Sequence, residues 1–545
     1  MAASYGKMIE AQRKETAMKI AKEYNNVPVI YYKPEIQKCL ECGSVLKRSH
    51  RVWNKYIIQF TGIIYAVSIG YDCSNDSCTS EIVYRSAEAE SLSLKYYSFG
   101  LDVIATVGEM RFNGNRTLGE IHSELSKKIS ISEREVQYLI ETYMLLVTGV
   151  KQNKSYLDEV ISAKGIILSL DGVQPEKGNE ILYVLRDVLS GEVLGSENLQ
   201  SSDEKSIKGL IGSVIELGYP VLGVVSDGQE TIRKAISSLL PGIPYQLCHY
   251  HYLDNVCKEL EDKDRKLKTK LKKSLRHIRI VEKQVEKMES GVQKDILKDF
   301  IVAVRTTTLE NSVYPFDCGG IKVYNQMVDI ETTLLACQQE KAHPILEPLK
   351  EIVSGYREYE GEYKEVNMLF TLVKDIGRLI DPDNYPEDNE AKRKQRLYGY
   401  MGYVASLKGE HTELSSSLEK IIKVTRSFMP GLFAYFRCPD LPVTNNDLET
   451  FHRKVKTTHR RRTGRKSSHD YMIRYGKFAV YQIGTDCRDK IKSLAYSQLK
   501  ALKGKLQSVR SRYSKIYQVR HHRPKFLNGL LDRWKTIITP ETVPT

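Results

Sequence analysis

The chain has 545 residues, with 82 Lys and Arg against 68 Asp and Glu and a formal net charge of +14. At 41% hydrophobic and 28% charged residues it can bury sizeable cores, which excludes global disorder, and its length suits roughly three to four domains. No run of about eighteen uncharged apolar residues suggests a membrane span, the first residues lack the apolar stretch of a secretory signal, and ten cysteines are too sparse for a disulfide scaffold. A reducing, cytoplasmic compartment is therefore expected, and the basic excess points to a polyanionic partner.

Residues 1–30 are expected to form a charged N-terminal helix. From Cys39 to Cys78 the texture changes to short strand-like runs, YIIQF and IIYAVSIGYDC, punctuated by Gly43, Gly62 and Gly70. Residues 31–90 thus read as a small β module. The next segment, 91–150, is helical: an apolar pattern over 92–112 precedes two candidate helices at 117–127 and 132–147. Ser132, with Glu135 three residues on, marks the second start with a capping box. The pair has helix-turn-helix spacing, which an ordinary αα-hairpin shares.

From Gly165 the period switches to that of strands. GIILSLDG is a strand ending in Asp171; EILYVLRDVLS and EVLGSENLQ are two more, with a turn at residues 190–191. A helix capped by Ser202 follows. YPVLGVVSDG is a buried strand ending in Asp227, then comes a helix ETIRKAISSLL, then a strand PYQLCHYHYL. The order β-β-β-α-β-α-β, with acids ending the first and fourth strands, is the layout of an RNase H-like domain. Residues 254–440 then read almost wholly as helix. Within them Leu267, Leu271, Leu275, Ile278, Val281, Val285 and Met288 step by three and four, an apolar stripe that packs one long helix on its neighbours. DPDNYPEDNE, at 381–390, is a loop inside this region.

Four residue sets carry chemistry. Cys39-x2-Cys42 and Cys73-x4-Cys78 are two close pairs about thirty residues apart, the pattern of a closed four-thiolate zinc site that is structural rather than catalytic. Asp171 and Asp227 end apolar strands, where neighbouring carboxylates repel unless cations neutralise them; hard oxygen ligands suit Mg²⁺ or Mn²⁺. Two acids are too few for a two-metal site. The best third is Glu449 in TNNDLETFHRK, one turn into a helix that Asn445 or Asn446 could cap. After it come Arg453, Lys454, Lys456, Arg460, Arg461, Arg462, Arg465 and Lys466 with no acid between them, read as phosphate contacts rather than a solvated face. Cys248 and His251 form a C-x2-H pair that is half of a second zinc site or two packed core residues.

Together these motifs resemble the DDE transposases of insertion sequences related to the Mutator-like group. Asp227 is followed by Gly-Gln and then Cys248-x2-His251. Glu449 lies in a T-N-N-x-x-E block that leads to R-x-x-G-R-K. In that group a helical insertion separates the second Asp from the Glu. The resemblance implies a multidomain α/β chain. Its RNase H-like mixed β-sheet core is flanked by helices and carries a large all-α insertion, and it is preceded by a zinc ribbon and a helix-turn-helix. The expected limits are a zinc ribbon at 31–90, a helix-turn-helix region at 91–150 and the core's first part at 160–256. The insertion at 257–440, the core's second part at 441–490 and a basic C-terminal tail at 491–545 follow.

The implied activity is DNA transposition. Asp171, Asp227 and Glu449 would hold two Mg²⁺ or Mn²⁺ ions, and a structural zinc would sit on the four cysteines. The expected partners are double-stranded DNA, as terminal inverted repeats and target, and further copies of the chain in a homodimer or larger synaptic assembly. No membrane partner is expected, and in a prokaryote the protein would be nucleoid-associated. The resemblance puts Cys248 and His251 beside the catalytic site without giving them a role. The alternatives are a transposase-derived DNA-binding protein without catalysis and a metal-dependent nuclease without strand transfer.

Overall fold

The computed structural model describes residues 27–538 apart from 176–177, 485–486 and 495. Most of the expected N-terminal helix, residues 1–26, lies outside the described residues, and its last positions enter a strand instead. The chain divides into two compact units. One combines the chain up to Lys164 with Gly172–Tyr219 and the chain from Leu448; the other combines Gly165–Asp171 with Pro220–Asp447.

The first unit begins with a three-stranded sheet of β1 (Val29–Tyr32), β2 (Leu46–Gln59) and β3 (Gly62–Cys73), in the order β1-β3-β2. The β2–β3 hairpin is antiparallel and β1 runs parallel to β3. On β2 the run Lys47, Arg48, Ser49, His50 and Arg51 is exposed. Helices α1 (Leu101–Phe112), α2 (Leu118–Leu125) and α3 (Glu133–Lys151) follow. Capping boxes start both α2, through Thr117 and Glu120, and α3, through Ser132 and Glu135. At Gly108 a Cβ would fall 2.2 Å from the Tyr143 ring, so only glycine lets α1 approach α3 this closely.

Residues 139–151 of α3 are buried throughout, whereas Glu133, Arg134 and Tyr138 stay exposed near its start. The helix-turn-helix expectation for the pair rests on its spacing.

Next come β4 (Ile166–Val173), β5 (Ile181–Asp187), β6 (Val193–Leu199), α4 (Glu204–Ile215), β7 (Val221–Ser226), α5 (Glu230–Leu239) and β8 (Tyr245–Leu247), matching the expected element order. The second sheet has the order β6-β5-β4-β7-β8. β5 and β6 form an antiparallel hairpin, whereas β4, β7 and β8 run parallel. The expected cap of α4 is off by one: Asp203, not Ser202, accepts the Ser206 backbone N–H at 2.9 Å. The last strand is also shorter than expected. It stops at Leu247, and Cys248 caps the long helix α6 (His249–Ser274).

Within the second unit, helices continue to Ser415–Phe428. Leu267, Leu271, Leu275, Ile278, Val281 and Val285 are at most 2% exposed and belong to its core. The stripe is intramolecular as expected, but a 3₁₀ turn at Leu275–His277 breaks the helix. The 381–390 loop is clamped by the buried Arg393, which donates to the carbonyls of Leu379 and Asp381 at 3.3 and 2.6 Å.

The chain then forms α7 (Asn446–Thr463), α8 (His469–Ala479), α9 (Tyr496–His521) and α10 (Arg523–Ile538). In the first unit, α7 and α8 lay Leu448, Phe451, Val455 and Met472 against Leu182, Val184 and Val193 of the hairpin. The expected basic tail is helical: Leu499, Leu502, Leu506 and Val509 of α9 are buried at three- and four-residue steps.

Candidate functional site

In the second unit, the parallel pairing of three neighbouring strands stops at one level, although β4 itself runs on to Val173 rather than ending at Asp171. Leu170 of β4 pairs with Ser226 of β7, and Ser226 pairs with Leu247 of β8. One residue further along these strands stand Asp171, Asp227 and Cys248. Parallel strands put their carboxyl ends on one side, where α/β sheets place ligands, and adjacent strands lie about 4.8 Å apart. Both aspartates are half-buried at the ends of buried runs. Asp227 Oδ1 accepts the Gln229 backbone N–H at 2.9 Å, and Gly228, at φ +83°, turns the chain away after it.

Beside these strand ends lies Asn445, 1% exposed. Its Oδ1 accepts from the Ser169 hydroxyl at 2.6 Å, and its Nδ2 donates to the Leu170 carbonyl at 3.2 Å. Its backbone N–H donates to Cys248 Sγ at 3.2 Å. The Cys248 N–H in turn donates to the Ser226 carbonyl, and the His249 N–H to that of Val443, both at 2.9 Å. The side chain expected to cap a helix is thus engaged by β4 instead. Glu449, on α7, belongs to the first unit and is half-buried.

Cys248 is buried, with His251 half-buried one turn on. The neighbouring His249 is buried, and its Nε2–H donates to the Leu432 carbonyl at 2.7 Å. Burial holds its pKa down to about 4, so it is neutral at pH 7. The sequence does not single out Ser169, and it offers His249 only as a neighbouring ligand for a zinc site with Cys248 and His251. Their partners lie 276 and 183 residues away along the chain, which no local pattern reports. Asn445→Ala removes both side-chain bonds from buried groups and should destabilise the protein by about 1–3 kcal/mol; urea unfolding measures this.

The cysteines form a second site in the first unit. The ligand atoms of Cys39, Cys42, Cys73 and Cys78 all lie within 4.8 Å of one another. Cys39 Sγ is 3.9 Å from Cys78 Sγ, and Cys42 Sγ is 3.3 Å from Cys73 Sγ. Four sulfurs on a tetrahedral zinc, at about 2.3 Å each, stand about 3.8 Å apart, so the set fits. Gly43, at φ +73°, forms the knuckle and donates its N–H to the Cys39 carbonyl at 3.0 Å. Hydrogen bonds from the Ser44 side chain and backbone hold the Cys42 thiol down to about 6, and the Tyr84 hydroxyl lowers that of Cys39. Only these two of the four are shifted toward the thiolate that zinc binds; the Cys73 and Cys78 thiols are shifted up. Among the described residues, no set of three or more metal-ligating groups this tight includes Asp171, Asp227, Cys248 or His251.

The basic run divides by helix face. Leu448, Phe451, His452, Val455, His459 and Arg462 of α7 are buried, whereas Arg453, Lys454, Arg460 and Arg461, with Arg465 and Lys466 beyond the helix, are exposed. Arg462 is set apart from this exposed run: it is 5% exposed, faces into the first unit, and donates to the Phe112 carbonyl at 2.8 Å and Asn115 Oδ1 at 3.2 Å.

No family model matches the chain, and no curated protein matches it. Among solved structures, the chain is similar to a Drosophila P element transposase strand transfer complex. The identity is 10% and the TM-score 0.32, over 74% of this chain and 94% of that one. A likeness at this level leaves function to the chemistry of the site.

Proposed function

We propose that the chain is a DNA transposase of the DDE type, acting on phosphodiester bonds with divalent cations held by Asp171, Asp227 and Glu449. The observation that supports this reading is the register of β4 and β7: Asp171 and Asp227 each follow the last paired residues, Leu170 and Ser226, of two buried parallel runs. Carboxylates on neighbouring strands repel one another, and a shared cation turns that cost into attraction. Glu449 is proposed as the third ligand on its T-N-N-x-x-E block. When bound, a pair of Mg²⁺ or Mn²⁺ ions activates a water or a DNA 3′-hydroxyl and stabilises the leaving 3′ oxygen. The chain's own residues hold those ligands in place, and no side chain need attack the phosphate.

The exposed basic residues on and after α7 support a phosphodiester substrate, and the exposed Lys47, Arg48, His50 and Arg51 of β2 suit a DNA contact by the cysteine module. The module, held by zinc, and the helical pair after it would recognise the element's terminal repeats. Cutting two ends in concert calls for a dimer or larger assembly. The test is incubation with end DNA and Mg²⁺: cleavage that needs the metal and both aspartates supports the reading, and metal-independent cleavage opposes it.

Neutralising Arg460, Arg461, Arg465 and Lys466 to Ala should weaken binding to specific and random duplexes alike. Each lost phosphate contact should flatten the log–log salt dependence by about 0.9. A salt titration checks this. An unchanged slope means these charges are simply solvated.

A further inference from the structure

Within the first unit a cleft of about 840 Å³ is lined from α1, α3, α7, α8 and α9. Five arginines line it, Arg111, Arg462, Arg465, Arg474 and Arg510, against the carboxylate of Glu141, which is already paired with Arg510. Arg111 and Arg462 have no carboxylate partner among the described residues. Arg111 donates to the carbonyls of Arg116 and Arg462 at 2.8 and 3.1 Å, and Arg462 to Phe112 and Asn115. Burial holds the Arg462 guanidinium down to about 10; burial first, then Arg111, holds His459 to about 4. Buried cations without a counter-charge are costly, and an anionic ligand supplies what the fold leaves out.

The rest of the lining is aromatic. On α9, Arg510, Tyr513, Ser514 and Tyr517 recur at three- and four-residue steps, so one helix face borders the cleft. The Arg474 guanidinium lies over the Tyr513 ring at 4.8 Å, and Tyr517 is 47% exposed. Arginines beside aromatic faces are what nucleic-acid sites use to stack a base and grip its phosphate. The volume is ample for one such ligand.

We propose that this cleft binds a nucleotide, with its base against Tyr513 and Tyr517 and its phosphate against Arg465, Arg474 and the Arg111–Arg462 pair. The same chemistry comes from a base turned out of a DNA strand or from a free nucleoside phosphate. The site uses none of the carboxylates of the proposed cleavage reaction.

The test is equilibrium binding of the full chain without added divalent cation. The probes are a short single strand carrying one 2-aminopurine and the same strand abasic at that position, with a deoxynucleoside monophosphate as competitor. The base-containing strand should bind at least about fivefold tighter, the lower end for one base–aromatic stack. Tyr513→Ala should erase that preference and Tyr513→Phe should keep it. Tyr517→Ala, at a 47% exposed position, should reduce it. Competition by the monophosphate extends the cleft to free nucleotides, and its absence restricts the cleft to bases within a strand. Equal affinity for the two strands, or a preference unchanged in both alanine variants, overturns the proposal. Asp227→Ala should keep the preference, so failure here is separate from failure of the cleavage reading.

Discussion

Asp171→Ala and Asp227→Ala should each reduce Mg²⁺-dependent DNA cleavage by about a thousandfold or more while duplex binding persists. Loss of a metal ligand removes several kcal/mol of transition-state stabilisation, and each 1.36 kcal/mol is a factor of ten in rate. The DNA itself loses little, because its phosphates meet the exposed arginines and lysines on and after α7 instead. The strands should tolerate the change: both side chains sit half-buried at strand ends rather than in the core. Glu449→Ala should behave likewise. Normal cleavage by that variant would move the third ligand to Asp447, or to an acid in the helical insertion. Gel assays of cleavage at saturating DNA, with binding measured in parallel, separate these outcomes.

The second large effect belongs to the cysteine module. Cys39→Ser or Cys73→Ser should release its zinc and unfold the three-stranded sheet, with loss of end recognition. Structural zinc supplies about 10–16 kcal/mol of apparent binding energy in small modules, more than such a sheet gains from its own core. That core is small: Tyr32, Ile57, Ala66 and Ala89 form one cluster, and Cys39, Leu46 and Tyr84 another. The second unit has an extensive core and should stay folded. Metal analysis and limited proteolysis of the variants test this, and freshly purified protein without zinc contradicts it.

Much of this architecture was legible because it is written in local chemistry. The cysteine spacing, the Ser132–Glu135 box, the apolar runs that end in Asp171 and Asp227 and the turn before Gly191 are all short-range signals. What escaped depends on which way a residue faces or on partners far along the chain. An apolar run such as YQLCHYHYL suits a strand or a buried helix equally, so the end of β8 at Leu247 was hidden. Arg462 reads as one of many basic residues until the helical period turns it inward, toward Phe112. The C-terminal helices were missed because Leu499, Leu502, Leu506 and Val509 are spaced among many lysines and arginines. Asn445 was noticed as a cap, but its grip on β4 depends on Ser169 and Leu170, which only the fold brings near.

The most direct measurement takes the wild-type protein, Mg²⁺ and the DNA that flanks its own coding sequence, and maps the 3′ ends produced. The account predicts 3′-hydroxyl ends at a defined position at each flank, joined to new DNA on longer incubation and absent in the Asp227→Ala variant. Ends that form without divalent cation, or that persist in Asp227→Ala, would contradict it.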